Sequence, residues 1–419
     1  MREPKNPQRM ALVLSGGGVR GAYEAGVINY IRTQIHERHG GQKTFEVQCG
    51  SSVGAINTCF MASMAHQPFE QGQRLRYLWE HVDQDKIYKR HFGALGSLLS
   101  RTAKGISINL FNLHKKDQEK KGAAHFKGFF DTSPLPQYLH SIISFKDIGH
   151  NLKKGILAAV SVTATNVSTG RMELFIQKRP NVIYSGEYTH YDTRLSVVHV
   201  MASGAIPLIF PAVKVKHNYY IDGSLRLNTP MSPAIQLGAG KIMIIGLHHI
   251  YQPGEQYHHI LVPNQEPSLG QIVGKVMNSF FLDRLQYDVE QLRRINRIIE
   301  WSEKVYGKDY LEKINHRLKE QGIKGDIANR GLKKMKVFQI FPSRDVSELF
   351  SECYEDTRKK EYFTTFEKML FRLFDVDPGA GVDTLSYLAF MPNYIHQLLE
   401  LGFHDAEAHR EEIIEFLLS

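Results

Sequence analysis

The chain has 419 residues, 42% of them apolar, enough to bury a large core and to hold one large domain plus an appendage. Its 52 Lys and Arg against 43 Asp and Glu give a formal charge of +9, and its three cysteines offer no disulfide framework and suit a reducing compartment. No run approaches the ~20 apolar residues of a membrane span, no Cys/His cluster has metal spacing, and the apolar stretch after the charged start is too short for a signal peptide, so the expectation is a cytoplasmic protein with no metal and no cofactor.

Residues 10–15 read as a strand, which Gly16-Gly17-Gly18-Val19-Arg20-Gly21 turns into a helix from about Ala22. Glycine lets a backbone approach a ligand closely, and the N–H groups at a helix start are unpaired donors. Such a loop can hold a phosphate or the negative oxygen of a tetrahedral intermediate. Gly16, Gly18 and Gly21 also fit the dinucleotide fingerprint, which wants an acidic residue at the end of the next strand. That strand, residues 44–49, alternates with Phe45, Val47 and Cys49 on one side, and ends in Gly50-Ser51-Ser52 with no acid.

Residues 53–65 read as a buried helix, so Gly50-Ser51-Ser52-Val53-Gly54 is a strand–turn–helix junction. A serine on such a turn projects its hydroxyl, and the residues two before and two after must be small because the backbones crowd. Gly50 and Gly54 bracket Ser52, whereas Ser51 would have Cys49 and Val53 as flanks. The bland reading is a tight turn with an idle serine.

Residues 86–127 carry ten basic side chains against Asp117 and Glu119, a net of +8, with Leu, Ile and Phe interleaved. Such a mixture suits docking on an anionic bilayer or a mobile cover over a site, or else a solvated insertion whose apolar groups pack on the core. Nucleic acid would also attract this charge, but no recognition motif accompanies it, so no nucleic-acid partner is expected.

Residues 155–165 read as a central strand, and residues 212–216 and the pair Tyr219-Tyr220 as extended chain leading to Ile221-Asp222-Gly223-Ser224. Residues 241–247 form another buried strand, followed by His248-His249. Residues 252–267 are polar and Pro-rich, a boundary. Beyond Leu269 the apolar positions Ile272, Val273, Val276, Phe280, Leu285, Val289, Leu292 and Ile295 recur at helical spacing, a long core-packing helix. Residues 336–341 look like one late strand and the rest is helical. The expected fold is α/β, a mainly parallel central sheet flanked by helices: a unit over residues 1–265, then a mainly helical extension over 266–419 packed on it.

Three motifs in this order, Gly16-Gly17-Gly18-Val19-Arg20-Gly21, Gly50-Ser51-Ser52-Val53-Gly54 and Asp222-Gly223-Ser224, together with Ala202-Ser203-Gly204-Ala205-Ile206-Pro207 and Phe210-Pro211, make the chain resemble the patatin-like phospholipases over roughly residues 10–260. Ser224 stands where the family usually has Gly or Ala, a small residue still, and Gly204 occupies the third place of the Ala-Ser segment. Asp377-Pro378-Gly379-Ala380-Gly381 and its surroundings look similar to C-terminal extensions of bacterial members. The resemblance implies a Ser52–Asp222 dyad with no catalytic histidine, cleaving acyl esters of lipids as a phospholipase A or lysophospholipase; the basic segment 86–127 adds the expectation of peripheral contact with an anionic membrane surface. It implies an oxyanion loop over Gly16, Gly17, Gly18, Arg20 and Gly21, with Gly17 and Gly18 donating N–H groups and Arg20 supporting them.

Elementary chemistry leaves alternatives open. An aspartate with a pKa of about 3.9 is a poor base unless burial raises it, and Asp222-Gly223 alone reads as a turn. His248 or His249 would complete a triad in the order Ser, Asp, His, giving a soluble esterase or thioesterase. A membrane- or nucleotide-binding protein without chemistry is the other alternative.

Overall fold

The computed structural model describes residues 9–89, 128, 130–250, 285–322, 334–358, 386–388 and 390–419. β1 (Arg9–Leu14) explains the layering by its parity: Leu12 and Leu14 enter one apolar cluster, Ala11 and Val13 the other. A strand whose alternate residues are all apolar has both faces covered. On the first face lie α1 (Gly21–Thr33), α2 (Val53–Ser63) and α3 (Pro68–Glu80). They follow β1 and β2 (Val47–Gly50) directly, and then come the short α4 (Gln84–Ile87), α5 (Leu135–Ile142) and α6 (Phe145–Lys153).

The chain continues through β3 (Ala159–Asn166), β4 (Met172–Lys178), β5 (Thr189–Asp192), α7 (Val197–Ser203), β6 (Val213–Val215), β7 (Asn218–Asp222), α8 (Met231–Gln236) and β8 (Ala239–Ile245). After it come α9 (Leu285–Tyr306), α10 (Tyr310–Glu320), β9 (Lys336–Ile340), α11 (Val346–Arg358), α12 (Pro392–Ala408) and α13 (Arg410–Leu418). The sheet runs β5-β4-β3-β2-β1-β8-β9, with β7 also on β3 and β6 on β7. β1 is parallel to β2 and β8, β2 to β3, β4 to β5, and β8 to β9. The β3–β4, β3–β7 and β6–β7 pairs are antiparallel. The fold is α/β with a mixed, mostly parallel sheet and a helical C-terminal part.

Two local expectations fail for physical reasons. Phe45 does not share a face with Val47 and Cys49, because β2 begins only at Val47; Phe45 joins the α1–α2 cluster, and Val47 and Cys49 the α8 cluster. In α9, Val289 and Ile299 are buried but Ile295 is 41% exposed, so the core stripe is narrower than the apolar spacing suggests. Ile272, Val273, Val276, Phe280 and the motif residues 377–381 lie outside the described residues, as do all the basic residues of 86–127 except Lys86 and Lys89.

The C-terminal residues enter the same core. β9 extends the sheet beside β8, register Lys241 to Lys336. α12 crosses α1 at backbone contact: a Cβ on Gly26 would strike the Leu399 carbonyl, and one on Gly402 the Tyr23 carbonyl. Tyr23 Oη donates to Asp405 Oδ2 across the same crossing at 2.9 Å. Among the described residues no helix is long and apolar enough to cross a membrane.

Gly402→Val is therefore expected to force α1 and α12 apart and destabilise the fold by about 1–3 kcal/mol, the usual range for overpacking. Denaturant unfolding measures it; an unchanged midpoint would mean that the crossing tolerates a side chain.

Candidate active site

One edge of β3 serves two strands. β4 occupies the other edge over residues 159–165. β2 therefore takes this one as far as Gly50, opposite Val162, and β7 takes it over from Asp222, opposite Ala164. Successive strand residues rise about 3.3 Å, so Ser52, two residues past Gly50, arrives level with Ala164 and meets the end of β7. Ser52 Oγ donates to Asp222 Oδ2 at 2.6 Å.

Ser52 turns from strand to helix at φ 53°, ψ −125°, a conformation that a side chain adopts at a cost of about 1–3 kcal/mol. Its surroundings hold it there. A Cβ on Gly50 would strike the Gly54 carbonyl, and one on Gly54 the Leu14 carbonyl, which is why both flanks are glycine. The Ser52 N–H donates to Ser203 Oγ at 2.9 Å and the Asp222 N–H to the Ala205 carbonyl at 2.9 Å. The Ala202-Ser203-Gly204-Ala205 segment thus clasps both residues. Ser51 is buried beneath, accepting from Thr163 Oγ1 at 2.7 Å and lying 3.1 Å from Ser224 Oγ.

Asp222 is fully buried, and burial pushes its carboxyl up from 3.8 to about 6 against the opposing pull of hydrogen bonds from Ser52 and Ser224. Its Oδ1 accepts the Ser224 N–H at 2.8 Å and its carbonyl accepts Thr165 Oγ1 at 2.9 Å. Gly223 lies where a Cβ would strike Thr163.

The glycine loop closes over this pair. A Cβ on Gly16 would strike Ser224 Oγ and lie 3.0 Å from the Ser52 Cβ. The Gly16 N–H donates to the Asn228 carbonyl at 3.3 Å, so this glycine shapes the loop and is not a free donor. Among the described residues, the Gly17 and Gly18 N–H groups meet no protein acceptor. Gly18 has φ +58°, and its Cα abuts the Tyr387 carbonyl. Gly21 allows close packing of Val53, 2.7 Å from where its Cβ would be. Arg20 is buried and reaches Ser347 Oγ at 2.8 Å, Ser386 Oγ at 3.2 Å, Tyr387 Oη at 3.0 Å and His248 Nδ1 at 3.3 Å.

His248 is thus on Arg20, and His249 faces the Pro342 carbonyl at 2.9 Å; neither makes a hydrogen bond to Ser52 or Asp222. A buried network that no motif reading anticipated braces the loop from behind. Glu24 accepts from the Ser15 N–H at 2.8 Å and from Asn57 Nδ2 at 2.7 Å, and Trp79 Nε1 donates to Asn57 Oδ1 at 3.0 Å. Burial holds the Glu24 carboxyl well above the usual carboxylate range.

Ser52 and Gly18 open onto a cavity with about 890 Å³ of atom-free space, its mouth included. Val53, Ile56 and Phe60 of α2 line it at helical spacing, facing Leu75 of α3 and Leu139 of α5. Asn57 also lies on this face, but its polar atoms are engaged by Glu24, Gly21 and Trp79. The walls therefore suit an alkyl chain. Among the described residues there is no cluster of three or more His, Cys, Asp or Glu that could hold a metal. Chemically, the arrangement offers a hydroxyl on a carboxylate that is mostly ionised at neutral pH, an apolar chamber beside it, and two amides facing no acceptor.

Residues 12–235 match the family described as patatin-like phospholipase. The chain is similar to the probable lipid hydrolase 463L of Invertebrate iridescent virus 6, 25% identical over 54% of this chain and 63% of the relative. It is also similar to a cGAMP-activated phospholipase of Pseudomonas aeruginosa, 29% identical over 54% of this chain and 55% of that one. The matches thus span less than two thirds of either relative's length. Among solved structures, human GIVD cytosolic phospholipase A2 with methyl gamma-linolenyl fluorophosphonate aligns over 98% of this chain and 59% of its own, at 11% identity and a TM-score of 0.38.

Because the folded state raises the Asp222 pKa, the neutral form adds stability at pH below 3.8, and this is lost as pH rises through about 6. Asp222→Asn stays neutral. It should therefore unfold later than the wild type above pH 6, by up to about 3 kcal/mol, and the gap should close toward pH 4. Melting curves across this range check it; a variant less stable at pH 8 would refute the cost of the buried charge.

Proposed function

The chain belongs to the patatin-like phospholipase family, and on that premise we propose that it is a serine lipid acyl hydrolase of the phospholipase A or lysophospholipase type, working through a Ser52–Asp222 dyad. The observation that carries the reading is the 2.6 Å Ser52–Asp222 hydrogen bond at an apolar cavity. Ser52 Oγ attacks the acyl carbonyl carbon while Asp222 takes its proton. The carbonyl oxygen becomes an oxyanion, and the Gly17 and Gly18 N–H groups, with the N-terminal dipole of α2, stabilise it. Collapse expels the alcohol part of the lipid, which takes the proton from Asp222 and leaves an acyl ester on Ser52. Water then attacks this ester, giving its proton to Asp222; a second collapse returns that proton to Ser52 and frees the fatty acid.

An apolar chain of the substrate occupies the cavity, and the lipid is met at an anionic membrane surface by the basic and apolar residues of 86–127, the protein itself remaining peripheral and on the cytoplasmic side. Each such basic residue contributes about 1 kcal/mol near the surface and is screened by salt.

The test is fatty-acid release from a panel of phospholipid and lysophospholipid vesicles and from a soluble short-chain ester. It is run with and without a cyclic dinucleotide, since one relative is a cGAMP-activated phospholipase. Ser52→Ala and Asp222→Asn should each lose at least about 10³-fold, and the double variant little more, because residues acting as one unit are not additive. Added salt should slow hydrolysis of anionic vesicles and spare the soluble ester. Undiminished release by Ser52→Ala would overturn the dyad; salt-independent vesicle hydrolysis would overturn the membrane contact.

A further inference from the structure

We propose that Tyr387, with Ser386 and Ser347, positions the oxyanion loop through Arg20, making the C-terminal part of the chain a working component of the site. The inference rests on the loop's role given above and assigns a task to residues more than 320 positions away from it.

Tyr387 holds the loop in three ways. Its main-chain carbonyl abuts the Cα of Gly18, where only glycine fits. Its hydroxyl accepts from Arg20 Nη1 at 3.0 Å, and its ring lies 3.8 Å from the guanidinium carbon, a cation–π contact. Ser386 and Ser347 accept from the Nε and Nη2 sides of the same guanidinium. Arg20 can only donate, so His248 Nδ1, 3.3 Å from Nη1, accepts as well. The planar fork of Arg20 is thereby fixed in orientation as well as in place.

That fixation reaches the amides directly. The Arg20 N–H donates to the Gly17 carbonyl at 3.2 Å, so the Gly17–Gly18 peptide, which carries the Gly18 N–H, lies inside the turn that Arg20 pins, and the Gly17 N–H sits on the turn's first residue. A glycine loop is conformationally permissive, and an anchored side chain two residues on removes that freedom. Oxyanion donors act only in the transition state, where a misplacement of about 1 Å costs on the order of 10²-fold. Ser347 and Ser386 do not line the cavity, whereas Tyr387 does; the serines therefore report on positioning without altering the acyl site.

The experiment compares wild type, Ser347→Ala/Ser386→Ala and Tyr387→Phe on a soluble short-chain ester, with melting temperatures to verify folding. The double variant is expected to lose kcat by about tenfold or more with KM within about twofold, since uniform binding is untouched. Tyr387→Phe keeps the ring under Arg20 and should lose less. Amide hydrogen exchange over residues 16–21 should quicken in the double variant relative to the wild type. Unchanged kcat and unchanged exchange in folded variants, or a loss in KM alone, would overturn the proposal. A wild type inert on every ester would instead sink the hydrolase reading; exchange over the loop then decides the positioning role by itself.

Discussion

β2 and β7 share a single edge of β3, and the meeting of hydroxyl and carboxylate depends on the point where one strand gives way to the other. A one-residue slip of β7 would turn Asp222 to the opposite face of the sheet, because side chains alternate. Register is therefore the constraint that the site cannot relax. The buried apolar faces of β2 and β3 enforce it, as does the Asp222 N–H bond to the Ala205 carbonyl. The strained turn at Ser52 is held on the same ground: its N–H is bonded to Ser203, its hydroxyl to Asp222, and the backbones on both sides pack too closely for any residue but glycine at 50 and 54.

The same burial sets the electrostatics. Removing Asp222 from water raises its carboxyl to about 6, and donation from Ser52 and Ser224 limits the rise. A base near that value still ionises at neutral pH yet binds a proton more readily than an exposed aspartate. Glu24, buried as fully and accepting only from the Ser15 amide and the Asn57 side-chain amide, is pushed well up and braces the loop. Two fully buried carboxyls thus have different partners: Asp222 accepts from the Ser52 hydroxyl and the Ser224 N–H, and Glu24 from amide groups alone.

Local chain chemistry was legible where geometry demands one residue type. Gly50 and Gly54 betray the turn because any Cβ there strikes a carbonyl, and Gly18 betrays a positive φ. The strands at residues 10–15, 155–165 and 241–247 were legible because largely apolar runs mark two-sided burial, and the one at 336–341 by its alternation, with Phe338 and Ile340 buried. β4 and β5, polar at their outer positions, escaped notice. So did the β6–β7 pairing partner, since an antiparallel return to β3 is a long-range choice with no local mark. Arg20 was assigned to the loop, but its clasp by Ser347, Ser386 and Tyr387 was invisible: serines and a tyrosine more than 320 residues away carry no spacing signal. Asn57 and Trp79 lie on helix faces that read as core, and only the fold shows them bonded to one another.

The most direct measurement of the Ser52–Asp222 pair is the pH dependence of fluorophosphonate modification, with the adduct mapped to its residue. The expected result is an adduct on Ser52 whose rate of formation falls about tenfold per pH unit below about 6, with this dependence abolished in Asp222→Asn. An adduct on Ser51, a rate indifferent to pH, or a pH midpoint that survives Asp222→Asn would contradict it.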